Sequence, residues 1–274
     1  MNNEDKLIST DNDRCEFGYE LQLVIPYAYY LYKNNILGKT ISCFLTKELY
    51  YFSNNHYEKY KERGHNNAKL NGIPNKSPHC WNIKIDKYIP PPYKEVYENS
   101  YFVYDKPLLI IHNKYNIEWG KDPINYIDKK TLIEICSICK DKYKIIYLRP
   151  NINNIVNDKG TLADLNLNEE EIFHEYDVIN GNDLYKDSKD KYNINNFNHF
   201  QLLLHSCCSK FVSVQGGNSV VASYFGGTNI VYAIKGNELK FKSYKRQYKL
   251  YSGCDVIHVD NYDKLINMIK IKYL

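Results

Sequence analysis

The residues with the clearest chemical potential lie in Phe211-Val-Ser-Val-Gln215-Gly216-Gly217-Asn218-Ser219-Val-Val-Ala-Ser-Tyr-Phe225-Gly226-Gly227. An apolar strand ends, two glycines turn the chain, and a helix opens at Asn218 and Ser219. Free amides at a helix start favour an anion, and glycine lets a phosphate approach the backbone with no Cβ in the way. Gln215, Gly216, Gly217, Asn218 and Ser219 are therefore the candidate phosphate cradle. The bland alternative is an ordinary strand–helix turn. The spacing matches neither a P-loop nor GxGxxG, which counts against a nucleoside triphosphatase or a dehydrogenase. Lys114 just past one strand and Arg149 at the end of the next are candidate phosphate-pairing cations; a guanidinium can do so through two parallel hydrogen bonds. The bland alternative for Lys114 is a solvated loop lysine, and Arg149 has a structural alternative as well. Glu118-Trp119 offers a carboxylate and a stacking surface. Phe173-His174-Glu175-Tyr176-Asp177 sets an imidazole, aromatic rings and carboxylates side by side.

Elements must position these groups. Pro107–His112 reads as a buried strand, Asp128 caps a helix with apolar residues at 132, 133, 135, 136 and 139, and Tyr143–Leu148 is the next strand, stopped by Arg149-Pro150. This unit has the length of a parallel crossover. Ile172–Ile179 predicts a strand, Phe197–Ser206 a helix, Lys210–Gln215 a strand, Ser219–Phe225 a short helix, Asn229–Ala233 and Asp255–Val259 strands, and Tyr262–Tyr273 a terminal helix. Alternation at this spacing argues for an open parallel sheet covered on both faces. In the first half, apolar residues at 21, 24, 25, 28, 31 and 32 form a helical stripe over Glu20–Ile36; either one helix kinks at Pro26, the favoured reading, or Leu21–Ile25 is a strand and Pro26 is the first helical residue. Thr40–Phe44 and Leu49–Phe52 predict strands, residues 53–79 a polar loop, and Ile89–Tyr93 a rigid extended segment. The expected organisation is residues 1–106 as one unit and 107–274 as a second, with the terminal helix free to pack back on the first.

Composition narrows the function classes. The 274 residues are 43% apolar and 25% charged, with 36 Lys and Arg against 32 Asp and Glu, a net +4. A pI near 8.4 is mildly basic. Nucleic-acid binders usually carry a denser cationic face, so none is expected as a partner. The longest apolar runs fall far short of the roughly 20 residues of a membrane-crossing helix, and no secretory leader is expected from the first residues. The 15% aromatic content argues against disorder. Cys136-x-x-Cys139 has metal or redox spacing, yet it lies in an apolar helical run with no second such pair, which reads as core. Cys207-Cys208 reads as helix core too, and reduced thiols in the cytoplasm are the expectation.

Strand, glycine turn, helix and strand near the C-terminus resemble the donor half of a GT-B glycosyltransferase. Phe17-Gly18-Tyr19-Glu20-Leu21 is similar to the acceptor-side turn of those enzymes, where a Gly-Asp-Glu-Leu-like sequence is common and Tyr19 stands at the acidic position. The size and the Lys-, Asn-, Ile- and Tyr-rich composition look like glycosyltransferases of large DNA viruses or AT-rich microbes, placing the chain in the cytoplasm, or the host cytoplasm if viral. The resemblance implies an α/β fold of two Rossmann-like domains with parallel sheets and an inter-domain cleft. It implies a nucleotide-sugar donor on Gln215–Ser219, a base against His174 and Tyr176, and a glycan or other hydroxyl acceptor on the N-terminal side. Inverting transfer needs a general base; Glu20 is the first choice, His112 and His79 the next, whereas retaining transfer would need no dedicated base and would leave Glu20 structural. The donor is a substrate and no separate cofactor is implied. The Asp-x-Asp triplet, Asp11-Asn12-Asp13, lies near the N-terminus and not after a run that predicts a buried strand. No essential metal is therefore expected, and Lys114, Arg149 and backbone amides would neutralise the diphosphate. The alternatives are another α/β nucleotide-sugar or phosphate-ester enzyme, such as an epimerase, or a non-catalytic glycan-binding module. Gly217→Val is expected to abolish diphosphate binding with the thermal midpoint nearly intact.

Overall fold

The computed structural model describes residues 7–64, 72–75, 77–79, 81–114, 123–156, 165 and 167–274. Two parallel sheets organise the chain. The first holds β1 (Ile8–Asp11), β2 (Leu37–Cys43) and β3 (His56–Tyr60) in the order β1-β2-β3. The second holds β4 (Leu108–His112), β5 (Lys144–Leu148), β6 (Ile179–Asn180), β7 (Lys210–Val214), β8 (Thr228–Tyr232) and β9 (Asp255–Val259), in the order β6-β5-β4-β7-β8-β9. Every described pairing in both sheets is parallel.

The helices in chain order are α1 (Phe17–Tyr19), α2 (Ile25–Lys33), α3 (Tyr93–Val96), α4 (Lys129–Cys139), α5 (Glu170–Glu175), α6 (Gly181–Lys189), α7 (Phe197–Ser206), α8 (Gly217–Ser223), α9 (Asn237–Lys240), α10 (Ser243–Arg246), α11 (Lys249–Ser252) and α12 (Tyr262–Tyr273). The central strands are buried on both faces, so they read as continuous apolar runs such as Leu108-Leu109-Ile110-Ile111. One face of the second sheet packs with α4 and α12 through Leu132, Ile135, Leu265 and Ile269. The other face shares a core with α7, α8 and the first half of the chain, where Leu21, Ile25, Tyr50 and Tyr93 join Phe200, Tyr224 and Phe225.

Several expectations are corrected. The stripe at 20–36 is not a single kinked α-helix. Residues Glu20–Val24 form one wide π-turn, with the Ile25 amide donating to the Glu20 carbonyl, and α2 follows. Pro26 lacks an amide hydrogen and its ring crowds the carbonyl four residues back, so a locally widened turn accommodates it at the start of α2. Leu49–Phe52 is not a strand; Lys47–Tyr50 is a 3-10 turn that buries Leu49 and Tyr50. The polar stretch after 53 contains β3, whose half-buried alternation hides its strand character. Ile172–Ile179 is not one strand: its first four residues lie in α5, and only Ile179, with Asn180 after it, joins the sheet. Cys207 and Cys208 fall just past α7 rather than within it.

Candidate active site

The strand order of the second sheet reverses between β4 and β7. In an open α/β sheet the crevice outside the carboxyl ends of the strands at such a point is where ligands bind. Two segments leave the sheet there. His112 pairs with Ser213 across β4 and β7, so Lys114 and Gln215 each stand two residues beyond a paired position.

The glycine turn follows β7. Gly216 has φ +137°, a backbone conformation that L side chains rarely adopt, and a Cβ there would meet nothing within 4 Å. Gly217 is required for a different reason: its Cβ would lie 2.7 Å from Cδ1 of Phe17. The facing loop, Phe17-Gly18, comes from the first half of the chain, and a Cβ on Gly18 would lie 3.8 Å from Cα of Gly217. Two glycines thus bring the start of α1 and the start of α8 together between the two sheets. The expectation that Gly217→Val spares the thermal midpoint is corrected by this packing, because the ring of Phe17 occupies the space. Ser219 is fully buried and its hydroxyl donates to the Gly216 carbonyl at 2.8 Å, which closes the turn. Asn229 in β8 anchors α8, its amide donating at 3.1 Å to both the Ser219 carbonyl and Ser223 Oγ. Gly216, Gly217 and Asn218 are half-buried, so the turn is not walled off.

A polar network backs the turn. Asn125 Nδ2 donates to Gln215 Oε1 at 3.1 Å, and Gln215 Nε2 donates to Glu238 Oε1 at 3.1 Å. Nε2 of His79, from the first half of the chain, lies 4.0 Å from Glu238 Oε1. Burial pushes the His79 imidazole below its ordinary pKa, against the pull of Glu238. Among the described residues its Nδ1 has no hydrogen-bond partner, and the Tyr19 ring packs edge-on at 5.5 Å. Tyr248 places its hydroxyl 3.4 Å from Ser219 Oγ.

The other expected residues are placed as follows. Glu20 lies in the π-turn next to the crevice loop but is fully buried. Its carboxylate accepts from Asn12 at 2.8 Å and Tyr50 at 2.9 Å, and pairs with Arg63 at 2.8 Å. Burial opposes the Arg63 charge, yet the neighbouring carboxylate holds the guanidinium protonated. His112 is also fully buried, with its Nε2 2.6 Å from Nε2 of His205. His205 Nδ1 faces the Gln201 carbonyl and must donate to it, so His205 Nε2 is the acceptor and His112 Nε2 the donor. Burial holds both rings far below their ordinary pKa, His205 at about 4. Lys114 is buried at the mouth of β4, its amide held by Asn113 Oδ1 at 2.8 Å.

Arg149 is engaged by Glu169 through Nε and by the Leu165 carbonyl at 2.8 Å. His174 is exposed on α5, and Tyr176 lies under Lys140 at 5.3 Å. Asp177 next to it pairs with Lys144, the first residue of β5. That is the amino edge of the sheet, opposite the crevice, so His174 and Tyr176 do not join the turn. Glu118 and Trp119 lie outside the described residues. Asp11 of the Asp-x-Asp triplet follows through β1 and accepts from Tyr60 Oη at 3.0 Å. Burial pushes the Cys136 and Cys139 thiols up to about 12, as suits inert core residues. No group of three or more metal-ligating side chains assembles among the described residues. Glu238, Asn125, Tyr248 and Arg63 carried no sequence signal, since only the fold brings positions so far apart into contact.

No family model matches the chain, and no curated protein matches it in sequence. Among solved structures, the ADP-heptose lipopolysaccharide heptosyltransferase II of E. coli is similar over 97% of this chain and 98% of that one, with a TM-score of 0.56 and 8% identity. A glycosyl transferase family 9 structure from Veillonella parvula covers 89% of this chain and 62% of that one, with a TM-score of 0.36 and 14% identity. The first likeness establishes the fold: an α/β chain with two parallel sheets in the GT-B arrangement.

Proposed function

We propose that the chain is a glycosyltransferase that moves a sugar from a nucleotide-sugar to a hydroxyl acceptor in the crevice between its two sheets. The observation that carries this reading is the half-buried Gly216-Gly217-Asn218 turn at the strand-order reversal, apposed to Phe17-Gly18 at the start of α1. The GT-B fold raises the weight of transfer over epimerisation, because it supplies a second sheet to face the donor.

In this reading the donor diphosphate lies on the amides of the turn, with Lys114 beside them. The acceptor oxygen attacks the anomeric carbon. The bond from that carbon to the phosphate oxygen breaks, and the nucleoside diphosphate leaves with the electron pair. Fixed amide dipoles aimed at the departing oxygen stabilise charge that develops only as the bond breaks. Glu20 and His112 are not placed to take the acceptor proton, being buried in a salt bridge and in an imidazole pair. His79 borders the turn, is held neutral by burial, and has no partner for Nδ1 among the described residues, so it is the group we assign to that proton.

A thermal-shift panel of UDP-, GDP-, CMP- and dTDP-sugars tests the reading. A ligand at 100 times its Kd should stabilise the fold by about 2.7 kcal/mol. Asn218→Asp places a negative charge where the diphosphate would lie, while an acid in the first helical turn is tolerated or favoured by the helix dipole. This variant should keep its unliganded midpoint and lose the ligand-induced shift. His79→Gln should keep the shift and lose turnover. An unchanged shift in Asn218→Asp, or no shift with any donor in the parent, would refute the assignment.

A further inference from the structure

Charge is distributed unevenly over the surface. Residues 235–249, which build α9, α10 and α11, hold Lys235, Lys240, Lys242, Lys245, Arg246 and Lys249 and a single acid, Glu238. All six cations are exposed, whereas Glu238 is buried behind the glycine turn. The segment 81–87 adds Lys84 and Lys87 against Asp86. Together the two segments carry eight cations and two carboxylates, a net +6, although the whole chain carries only +4.

The two segments form one face. The Trp81 carbonyl accepts from Arg246, and the Arg246 guanidinium lies over the Trp81 ring at 5.1 Å. Phe241 packs against Trp81 at 5.8 Å, and Tyr88 against Tyr251 at 6.4 Å. The segment therefore runs along α9–α11 and is pinned at both ends. Large apolar side chains stand among the cations: Trp81 is 52% exposed, Ile85 61% and Leu250 44%.

We propose that this face docks on an anionic lipid bilayer. Exposed Lys and Arg are drawn to anionic headgroups, and interleaved Trp, Ile and Leu enter the boundary between headgroups and acyl chains. The aliphatic side chains discriminate between partners: a nucleic-acid backbone would satisfy the cations and leave Ile85 and Leu250 with no counterpart. No helix of the described residues is long and apolar enough to cross a membrane, so the contact is peripheral. The face borders the crevice, because Glu238 of α9 accepts from Gln215 and Gln247 donates to the Pro78 carbonyl beside His79. On the transferase reading above, and only on it, the acceptor would be a hydroxyl borne by a lipid.

Co-sedimentation with vesicles tests the surface without donor or acceptor. The protein should sediment with phosphatidylcholine vesicles containing phosphatidylglycerol and not with pure phosphatidylcholine. The triple variant Lys242→Gln, Lys245→Gln, Lys249→Gln should bind about 100-fold more weakly, with the loss shrinking at high salt. Trp81→Ala should also weaken binding. The circular dichroism spectrum and the nucleotide-sugar thermal shift of each variant should match the parent. Equal binding to both vesicle types, no vesicle binding, or preference for single-stranded RNA over anionic vesicles would overturn the proposal. A positive vesicle result with no nucleotide-sugar shift would keep the surface and remove the transferase.

Discussion

Glu20 sits two residues from a glycine of the crevice loop, yet its surroundings commit it to structure. A lone buried carboxylate is costly, and Arg63, Tyr50 and Asn12 together satisfy it. Glu20→Gln should therefore act mainly on stability, because it leaves the Arg63 charge buried and unpaired. The expected cost is about 3–5 kcal/mol in urea unfolding; a loss of turnover with unchanged stability would restore the catalytic role. The His112–His205 pair makes a pH prediction. Both folded-state pKa values lie below the unfolded value of about 6.5. The unfolded chain then binds more protons between the two, so this contribution is complete above about pH 6.5 and is lost as the pH falls toward about 4. His112→Asn should flatten the fall in urea midpoint between pH 6.5 and 5 relative to the parent. His112 and Glu20 are legible in the sequence as titratable groups at element ends. Their burial is not, because it depends on Arg63 and His205, far away in the chain.

At the scale of elements, local signals identify much of the second half. The apolar runs at 108–112, 210–214 and 255–259 are strands, and α7 and α12 span the expected residues. Asp128 caps α4 as the sequence indicates, accepting from the Thr131 amide at 2.7 Å. Where the pattern misleads, tertiary contacts override it. Ile172 and Phe173 belong to a helix that turns its apolar side onto the β4–β5 face, and the alternation of β3 is too shallow to mark a strand. Caps also differ by what else they hold. Asn196 accepts from the His199 amide at 2.9 Å and donates to Glu48 of the other half at 2.7 Å. Asp128→Ala should cost about 1 kcal/mol, an ordinary cap loss. Asn196→Ala should cost about 2–3 kcal/mol, since a hydrogen bond to a charged group goes as well. Equal costs in urea titrations would show that the Glu48 tie contributes nothing.

At the scale of the molecule, the two sheets share one core. Tyr93 packs on Tyr224 at 5.1 Å, and Tyr224 donates to the Leu21 carbonyl in the π-turn. Thermal unfolding should accordingly be a single transition, with calorimetric and van't Hoff enthalpies agreeing; two resolved transitions would show that the shared core does not couple the halves. Local sequence pattern is enough to show that the chain is α/β, that a glycine turn follows a buried strand near residue 215, and that the second half alternates strand and helix. These properties are local, written in runs of a few residues whose periodicity and turn chemistry need no distant partner. Tertiary structure alone decided which groups face the crevice. It buried Glu20 and His112, carried His174 and Tyr176 to the opposite edge of the sheet, and brought His79 and Glu238 up to the turn. The reason is that a side chain's exposure and protonation depend on what packs against it, and those neighbours are set by strand order rather than by spacing along the chain.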